Sequence, residues 1–284
     1  MMVTITYLCL LLPLLSHGVY VPGTPGAAWS QDEIDIVKSK LRFTYKFGRI
    51  KEAQHVTGVG EVGDNGGGHN AAKVLRLSFH DCLKYVDGGG GCDGCLNWRG
   101  VGTLFNQAKQ NLYPDVGPDS EGGNNGLRHT VEVLEAIYTV PRFPRGTPVL
   151  NTSLRDSGKS RADLWSLAAI TAVEFSIDVN NEKCRDPSSQ AGCHHLQGEP
   201  GCEVRLNNSI PFRTGRVDCV STNTTRPYIA SQEEVHPNAV GDGVETVEFF
   251  RDQFNFTGQE TVAIMGAHTL GKMSFKTSLF RCFE

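Results

Sequence analysis

The chain has 284 residues, a formal net charge of −4 at pH 7 and 39% hydrophobic residues, which is typical of a folded globular protein. It is long enough for one large domain or two closely packed lobes with a substantial core. It has no excess or cluster of lysine and arginine, so we expect no nucleic-acid partner.

The N-terminus has the pattern of a secretory signal peptide, which we place at residues 1–18. Its apolar run, from about residue 5 to about residue 15, is too short to span a bilayer, and no second run of spanning length follows. Eight cysteines follow the signal, and an even number in a secreted chain predicts disulfides. The chain also has four N-glycosylation sequons, at Asn151, Asn207, Asn223 and Asn255. We therefore expect a secreted, extracellular glycoprotein without a membrane span.

Two helices are predicted in the first third of the chain. Ser30 and Glu33 form a capping box in front of an amphipathic helix. The run AAKVLRLSFHDCLKY, at 71–85, predicts a second helix, and neither proline nor glycine interrupts it. Arg76 and His80 are four residues apart in this run, so they share one face of the predicted helix.

Three further helices are predicted in the rest of the chain. Residues 127–137 have apolar side chains at helical spacing, and the almost entirely apolar run at 161–176 predicts a helix buried on most of its surface. The polar, cysteine-rich segment at about 180–225 has no period and predicts a disulfide-stapled loop insertion. A capping box opens a last helix, at 260–275, which carries His268. The predicted fold class is therefore mostly α.

The histidines of two of these helices suggest a chemistry only when they are considered together. A single histidine in an apolar helix is usually a packed core residue, and an arginine one turn from a histidine is a common surface pair. Small neighbours such as Gly266 and Ala267 let a flat group approach His268, and haem iron commonly takes an axial histidine. Peroxide cleavage at such an iron needs a neutral imidazole as base and a fixed cation, which His80 and Arg76 would supply.

The chain resembles the haem peroxidase superfamily of plants, fungi and bacteria in five segments that occur in the family's order. The segments are LRLSFHDC, NNGL, SRADLWSLAAITAVE, IPFRTGRVD and TVAIMGAHTLG. The resemblance implies a two-lobed helical haem peroxidase fold over residues 28–284. It implies one haem b between the distal helix, which carries His80, and the proximal helix, which carries His268. Hydrogen peroxide and a small-molecule electron donor are the implied substrates.

The resemblance assigns a role to five residues of the haem site. Arg76 and His80 match the distal catalytic pair, and Phe79 matches the aromatic residue that lies over the haem. Asn124, the first residue of NNGL, matches the asparagine whose side-chain oxygen accepts a hydrogen bond from the distal histidine. That bond would fix the tautomer of the imidazole. His268 matches the proximal ligand of the haem iron.

The resemblance also implies a calcium site and one disulfide. The positions that match calcium ligands are Asp81, Gly91, Asp93 and Thr269. Cys95 stands at the position of a hydroxyl ligand, and sulfur is a poor substitute for the oxygen ligands that calcium prefers. In the pattern of the secreted plant branch, Cys82 would pair with Cys92.

The expected function is a peroxidase that reduces hydrogen peroxide to water, oxidises a small, aromatic organic donor and takes part in the response to oxidative stress. Residues at the positions that relatives use for ascorbate, manganese or lignin, such as Thr277, do not match those substrates. The family's aspartate that supports the proximal histidine would lie past Glu284, so the chain is expected to be either incomplete or truncated. One alternative is therefore a catalytically inactive secreted glycoprotein on a truncated peroxidase scaffold. A second is a zinc-binding module at 193–202, although that segment lacks paired CxxC spacing.

Overall fold

The computed structural model describes residues 20–47, 70–97, 124, 127–185, 209–221, 226–232, 234–238 and 241–269. Within these ranges the chain forms six α-helices, and a short 3-10 helix follows them at Gly266–Thr269. The α-helices are α1 (Gln31–Phe47), α2 (Ala71–Asp81), α3 (Arg128–Thr139), α4 (Arg161–Arg185), α5 (Gly243–Phe254) and α6 (Gly258–Met265). Over the same residues, strand pairing is confined to isolated bridges. The prediction of a mostly α fold is confirmed.

Helix α4 is the centre of the fold, because α1 and α2 both pack against it. Its Trp165 is buried and belongs to one apolar core with Leu41 of α1, Leu77 of α2 and Leu134 of α3. Burying one large apolar side chain of this kind contributes about 1.5–3 kcal/mol to folding. The helix that carries the predicted distal residues is therefore fixed by the core of the protein.

Both predicted capping boxes are present. At α1, the Ser30 N–H donates to Glu33 Oε2 over 2.7 Å, and the Glu33 N–H donates to Ser30 Oγ over 3.2 Å. At α6, the Thr257 N–H donates to Glu260 Oε2 over 2.8 Å, and the Glu260 N–H donates to Thr257 Oγ1 over 3.2 Å. Each box satisfies two backbone donors at a helix N-terminus. Short-range hydrogen bonds therefore set where these two helices begin.

Helix α2 ends at Asp81, four residues before the end of the predicted run at 71–85. A disulfide joins Cys82, the residue after the helix, to Cys92, which confirms the pairing that the resemblance implied. The Cys92 N–H also donates to the carbonyl oxygen of Asp81 over 2.7 Å. These links turn the chain away from the helix axis, so tertiary contacts override the helical preference of the run.

A second disulfide brings the loop after α2 to the N-terminus of α4. It joins Cys95 to Cys219, which are 124 residues apart. Asp218 accepts hydrogen bonds from the first two backbone N–H groups of α4, over 2.9 and 2.8 Å. Gly94 approaches α4 so closely that a Cβ would lie 2.7 Å from Ala162 N, and its φ of +71° favours glycine. The loop is thus held against α4 by a covalent bond and by close packing.

Three further elements differ from the prediction. Helix α4 continues to Arg185, so the predicted loop insertion at about 180–225 begins as helix. Helix α5 was not predicted, and its N-cap, Asp242, accepts hydrogen bonds from two backbone N–H groups. The predicted helix at 260–275 is α-helical only to Met265 and continues as the 3-10 helix. The part of it after the 3-10 helix lies outside the described residues.

Some expectations fall on residues that the structure does not describe. They concern the signal peptide, the zinc alternative and two of the sequons, at 1–18, 193–202, Asn207 and Asn223. The other two sequon asparagines, Asn151 and Asn255, are exposed. Among the described residues, none of the helices has the length and apolar character needed to cross a membrane.

Candidate functional site

Helix α2 presents the predicted distal residues. His80 is buried near the C-terminus of the helix, Phe79 beside it is half-buried, and Arg76 lies one turn earlier and is exposed to solvent. The rings of Phe79 and His80 meet edge to face, with 5.9 Å between their centroids. One rigid element therefore carries a base, a permanent cation and an aromatic ring.

Asn124 fixes the orientation and the tautomer of His80. Its Oδ1 lies 2.7 Å from His80 Nδ1, and its Nδ2 donates to the carbonyl oxygen of Asn97 over 2.7 Å. The second bond determines which end of the amide is the oxygen, so Oδ1 is the acceptor for a proton on His80 Nδ1. His80 Nε2 then keeps its lone pair and can accept a proton. The contact between Asn124 and His80 is the one that the resemblance implied.

The surroundings of His80 keep its imidazole neutral. Burial, and after it the charges of Arg76 and His236, lower the pKa of His80 to about 3, against the opposite effect of the hydrogen bond to Asn124. Burial disfavours the charged form of a histidine, and a nearby cation does the same. His80 is therefore an unprotonated base throughout the neutral pH range.

Two residues that the sequence analysis did not single out, Glu234 and His236, extend this site. The buried Glu234 accepts a hydrogen bond from the Asn97 N–H over 2.6 Å and from Asn124 Nδ2 over 3.2 Å. The ring centroid of His236 lies 5.0 Å from that of His80. Both residues reach the site from far along the chain and belong to neither a helix nor a recognised motif, so no local signal in the sequence marks them.

Phenylalanines of α5 pack against the distal helix. The ring centroid of Phe79 lies 5.9 Å from that of Phe250 and 6.2 Å from that of Phe254. Phe250 in turn stacks on Phe256, which lies in the turn between α5 and α6. Aromatic packing therefore connects the distal helix with the segment that leads to His268.

His268 lies on the 3-10 helix that follows α6 and is exposed. Its Nδ1 is 3.2 Å from the carbonyl oxygen of Met265, so a proton on Nδ1 leaves Nε2 as the atom that can bind a metal. Val262 and Ile264 on α6 are exposed apolar side chains, and Gly266 faces open space. An imidazole with an available Nε2 among apolar neighbours fits the axial ligand of a haem iron.

The residues that the resemblance matches to calcium ligands fit calcium less well than His268 fits haem iron. The Asp81 carboxylate already accepts the N–H groups of Gly94 and Cys95, and both oxygens of Asp93 accept the hydroxyl of Tyr85. The sulfur of Cys95, at the expected hydroxyl position, is bound in a disulfide.

Around the same loop, burial raises the pKa of Asp81 and raises that of Asp93 to about 6. Gly91 is exposed in this loop, and Thr269 ends the 3-10 helix. Across the described ranges, no group of three or more metal-binding side chains occurs. Calcium binding stays a prediction of the resemblance.

Comparison with known proteins identifies a family for the chain. The chain matches the family described as Peroxidase over residues 61–283. It is 25% identical over 201 residues to a protein of Debaryomyces hansenii, and 25% identical over 227 residues to one of Candida albicans. Both relatives are named "Putative heme-binding peroxidase". The matches cover 70% and 78% of this chain but 32% and 54% of the relatives, so the chain spans about a third and about half of their lengths.

Proposed function

Because the chain belongs to the peroxidase family, we propose that it is a haem-dependent peroxidase that reduces hydrogen peroxide to water and oxidises a small aromatic donor. The observation that carries the proposal is the hydrogen bond between His80 Nδ1 and Asn124 Oδ1, over 2.7 Å. It leaves His80 Nε2 free to accept a proton, next to the cation of Arg76. A buried imidazole held as a base serves proton transfer better than core packing.

Each distal side chain has a distinct task in the proposed reaction. His80 Nε2 takes a proton from one oxygen of hydrogen peroxide and gives it to the other oxygen, which leaves as water. The guanidinium of Arg76 stabilises the negative charge that develops on the oxygen–oxygen unit. Asn124 keeps the His80 ring in the tautomer that both transfers need.

Haem b would be held by His268 Nε2, and when bound it supplies the iron at which the oxygen–oxygen bond is cleaved. Phe79 would lie against the face of the haem, as the resemblance implies. The exposed apolar side chains near His268 offer an apolar surface to the macrocycle. A response to oxidative stress follows from the consumption of peroxide and belongs to the same proposal.

We also propose that the protein is secreted. The N-terminal segment 1–18 has the pattern of a signal peptide, and two sequon asparagines are exposed. The disulfides Cys82–Cys92 and Cys95–Cys219 are typical of an oxidising compartment. Expression in a eukaryotic cell, followed by glycosidase treatment of the culture medium, tests this. A chain found only inside the cell and without glycans would contradict it.

The test of the peroxidase proposal combines haem binding with turnover. We expect the full chain to give the visible spectrum of histidine-ligated ferric haem with haemin, and to consume peroxide in the presence of a phenolic donor. Arg76→Leu should slow peroxide consumption by at least about a hundredfold, the lower range for a transition-state charge partner, while haem stays bound. Arg155→Leu, which removes an exposed arginine elsewhere, is the matched control.

Two results would contradict the proposal in different ways. No spectral change with haemin would favour the alternative of an inactive glycoprotein on a peroxidase scaffold. Haem binding with equal turnover in wild type and Arg76→Leu would remove the role assigned to the distal pair.

A further inference from the structure

A second histidine, His236, lies beside the proposed distal base. The ring centroids of His80 and His236 are 5.0 Å apart, and the ring planes are inclined by 61°. His236 keeps 28% of its side chain exposed, whereas His80 is buried. The distal site therefore contains one imidazole shielded from water and another in contact with it.

The backbone around His236 is fixed by the loop that follows α2. The Val235 N–H donates to the carbonyl oxygen of Lys84 over 2.8 Å, and Glu234 forms an isolated bridge with Tyr85. These contacts lie immediately before His236 in the chain. The approach of its ring to His80 is thus built into the backbone.

Glu234 connects the two histidines. Its Oε2 lies 3.9 Å from His236 Nε2, and its carboxylate accepts the Asn124 amide over 3.2 Å. The same Asn124 holds His80 through the 2.7 Å bond to its Nδ1. Burial raises the pKa of Glu234 to about 7. One carboxyl group that can change charge near neutral pH therefore lies 3.9 Å from His236 and is hydrogen-bonded to the residue that positions His80.

The other charged groups nearby determine whether protonation around His80 raises or lowers its pKa. Arg76 and His236 each lower the pKa of His80 through their charge. Asp93, which raises the pKa of Glu234, has its own pKa raised by burial to about 6. Burial and Asp93 raise the pKa of Tyr85, so its hydroxyl stays neutral. As the pH falls, every titration in this set makes the surroundings of His80 more positive.

We propose that His236 and Glu234 form a titrating pair that controls the strength of His80 as a base, so that the peroxide reaction slows as the pair binds protons. This inference rests on the proposed function, because it concerns the same site. When both groups are deprotonated the pair carries one negative charge, and each bound proton adds one positive charge, whichever group takes it first. A more positive neighbour disfavours a proton on His80 and weakens it as a base. His236 is therefore a positioning residue, because it acts through His80.

The first experiment needs neither haem nor turnover. The pH titration of the histidine ring resonances is followed by NMR in the full chain, and the His236 signal is identified by its loss in His236→Gln. Replacing Glu234 by Gln removes the adjacent carboxylate, so the His236 midpoint should move to lower pH by about one unit. His129→Gln is the matched control for the loss of a histidine signal. His129 also lies near a glutamate, with 4.0 Å between His129 Nδ1 and Glu132 Oε2. An unchanged His236 midpoint in Glu234→Gln would overturn the proposal that the two groups titrate as a pair.

The second experiment measures peroxide consumption by the haem-loaded protein as a function of pH. Between about pH 8 and about pH 5 the wild type should slow by about tenfold, which corresponds to a change of one unit in the proton affinity of His80. His236→Gln should lose part of this decline and become faster than the wild type at the acid end. A variant that is slower by one constant factor at every pH would show a merely structural role and overturn the inference. If no protein turns over, the proposed function fails, and the NMR titration alone decides whether the pair is coupled.

Discussion

Replacing Glu234 by Gln should change how the stability of the protein depends on pH. Burial raises the pKa of Glu234 from 4.5 to about 7, and one pKa unit corresponds to about 1.36 kcal/mol. The folded state therefore retains a proton in a pH range where the unfolded state has already lost it. The free energy of unfolding should consequently fall by about 3 kcal/mol between about pH 4.5 and about pH 7 through this residue alone. Glu234→Gln lacks this titration, so its free energy of unfolding relative to that of the wild type should rise with pH.

Urea unfolding, followed by tryptophan fluorescence without reductant, measures this effect at several pH values. Burial also raises the pKa values of Asp93 and Asp218, to about 6. In both proteins these residues therefore add a further fall in the free energy of unfolding as the pH rises. The informative quantity is therefore the difference between wild type and variant. Glu248→Gln removes one exposed carboxyl and is the control for the loss of a charge. Parallel stability curves for wild type and Glu234→Gln would refute the reasoning.

The remaining predictions concern the histidines and the disulfides. Asn124→Val should slow peroxide consumption by about tenfold to a hundredfold, as is typical for the loss of a group that orients a functional histidine, and equal rates would contradict this. His268→Ala should abolish the histidine-ligated spectrum in a haemin titration, and an unaltered spectrum would exclude His268 as the ligand. Replacing Cys95 and Cys219 by serine should cost about 5 kcal/mol in urea unfolding, against about 3 kcal/mol for Cys82 and Cys92, because the first pair closes a loop of 124 residues and the second one of 10. Equal losses would argue against this loop-entropy account.

The sequence predicted best those features that depend on neighbouring residues. The boxes Ser30–Glu33 and Thr257–Glu260 are made by side chains three positions apart, so the sequence alone locates them. The placement of Arg76 and His80 on one helix follows from the helical period in the same way. The His80–Asn124 contact is not local, and it was expected only because of a resemblance to a family.

What the sequence did not predict depends on distant contacts. Helix α2 stops at Asp81 because a disulfide and a backbone hydrogen bond fix the next residues, although the run that follows favours helix. Glu234 and His236 acquire their meaning from Asn97, Asn124 and His80, and their own neighbours in the chain carry no period or motif. Titratable groups of this kind become visible only when the fold brings them together.

The bond between Cys95 and Cys219 makes a covalent ring of the chain, and the ring contains Asn124, α3 and α4. A protease that cuts anywhere between these two cysteines opens the ring, but both fragments remain parts of one molecule. The helix with His80 and the 3-10 helix with His268 lie on opposite sides of any such cut, so they would separate only after reduction. The protein can thus be nicked across a span of 124 residues and still keep His80 and His268 in one molecule.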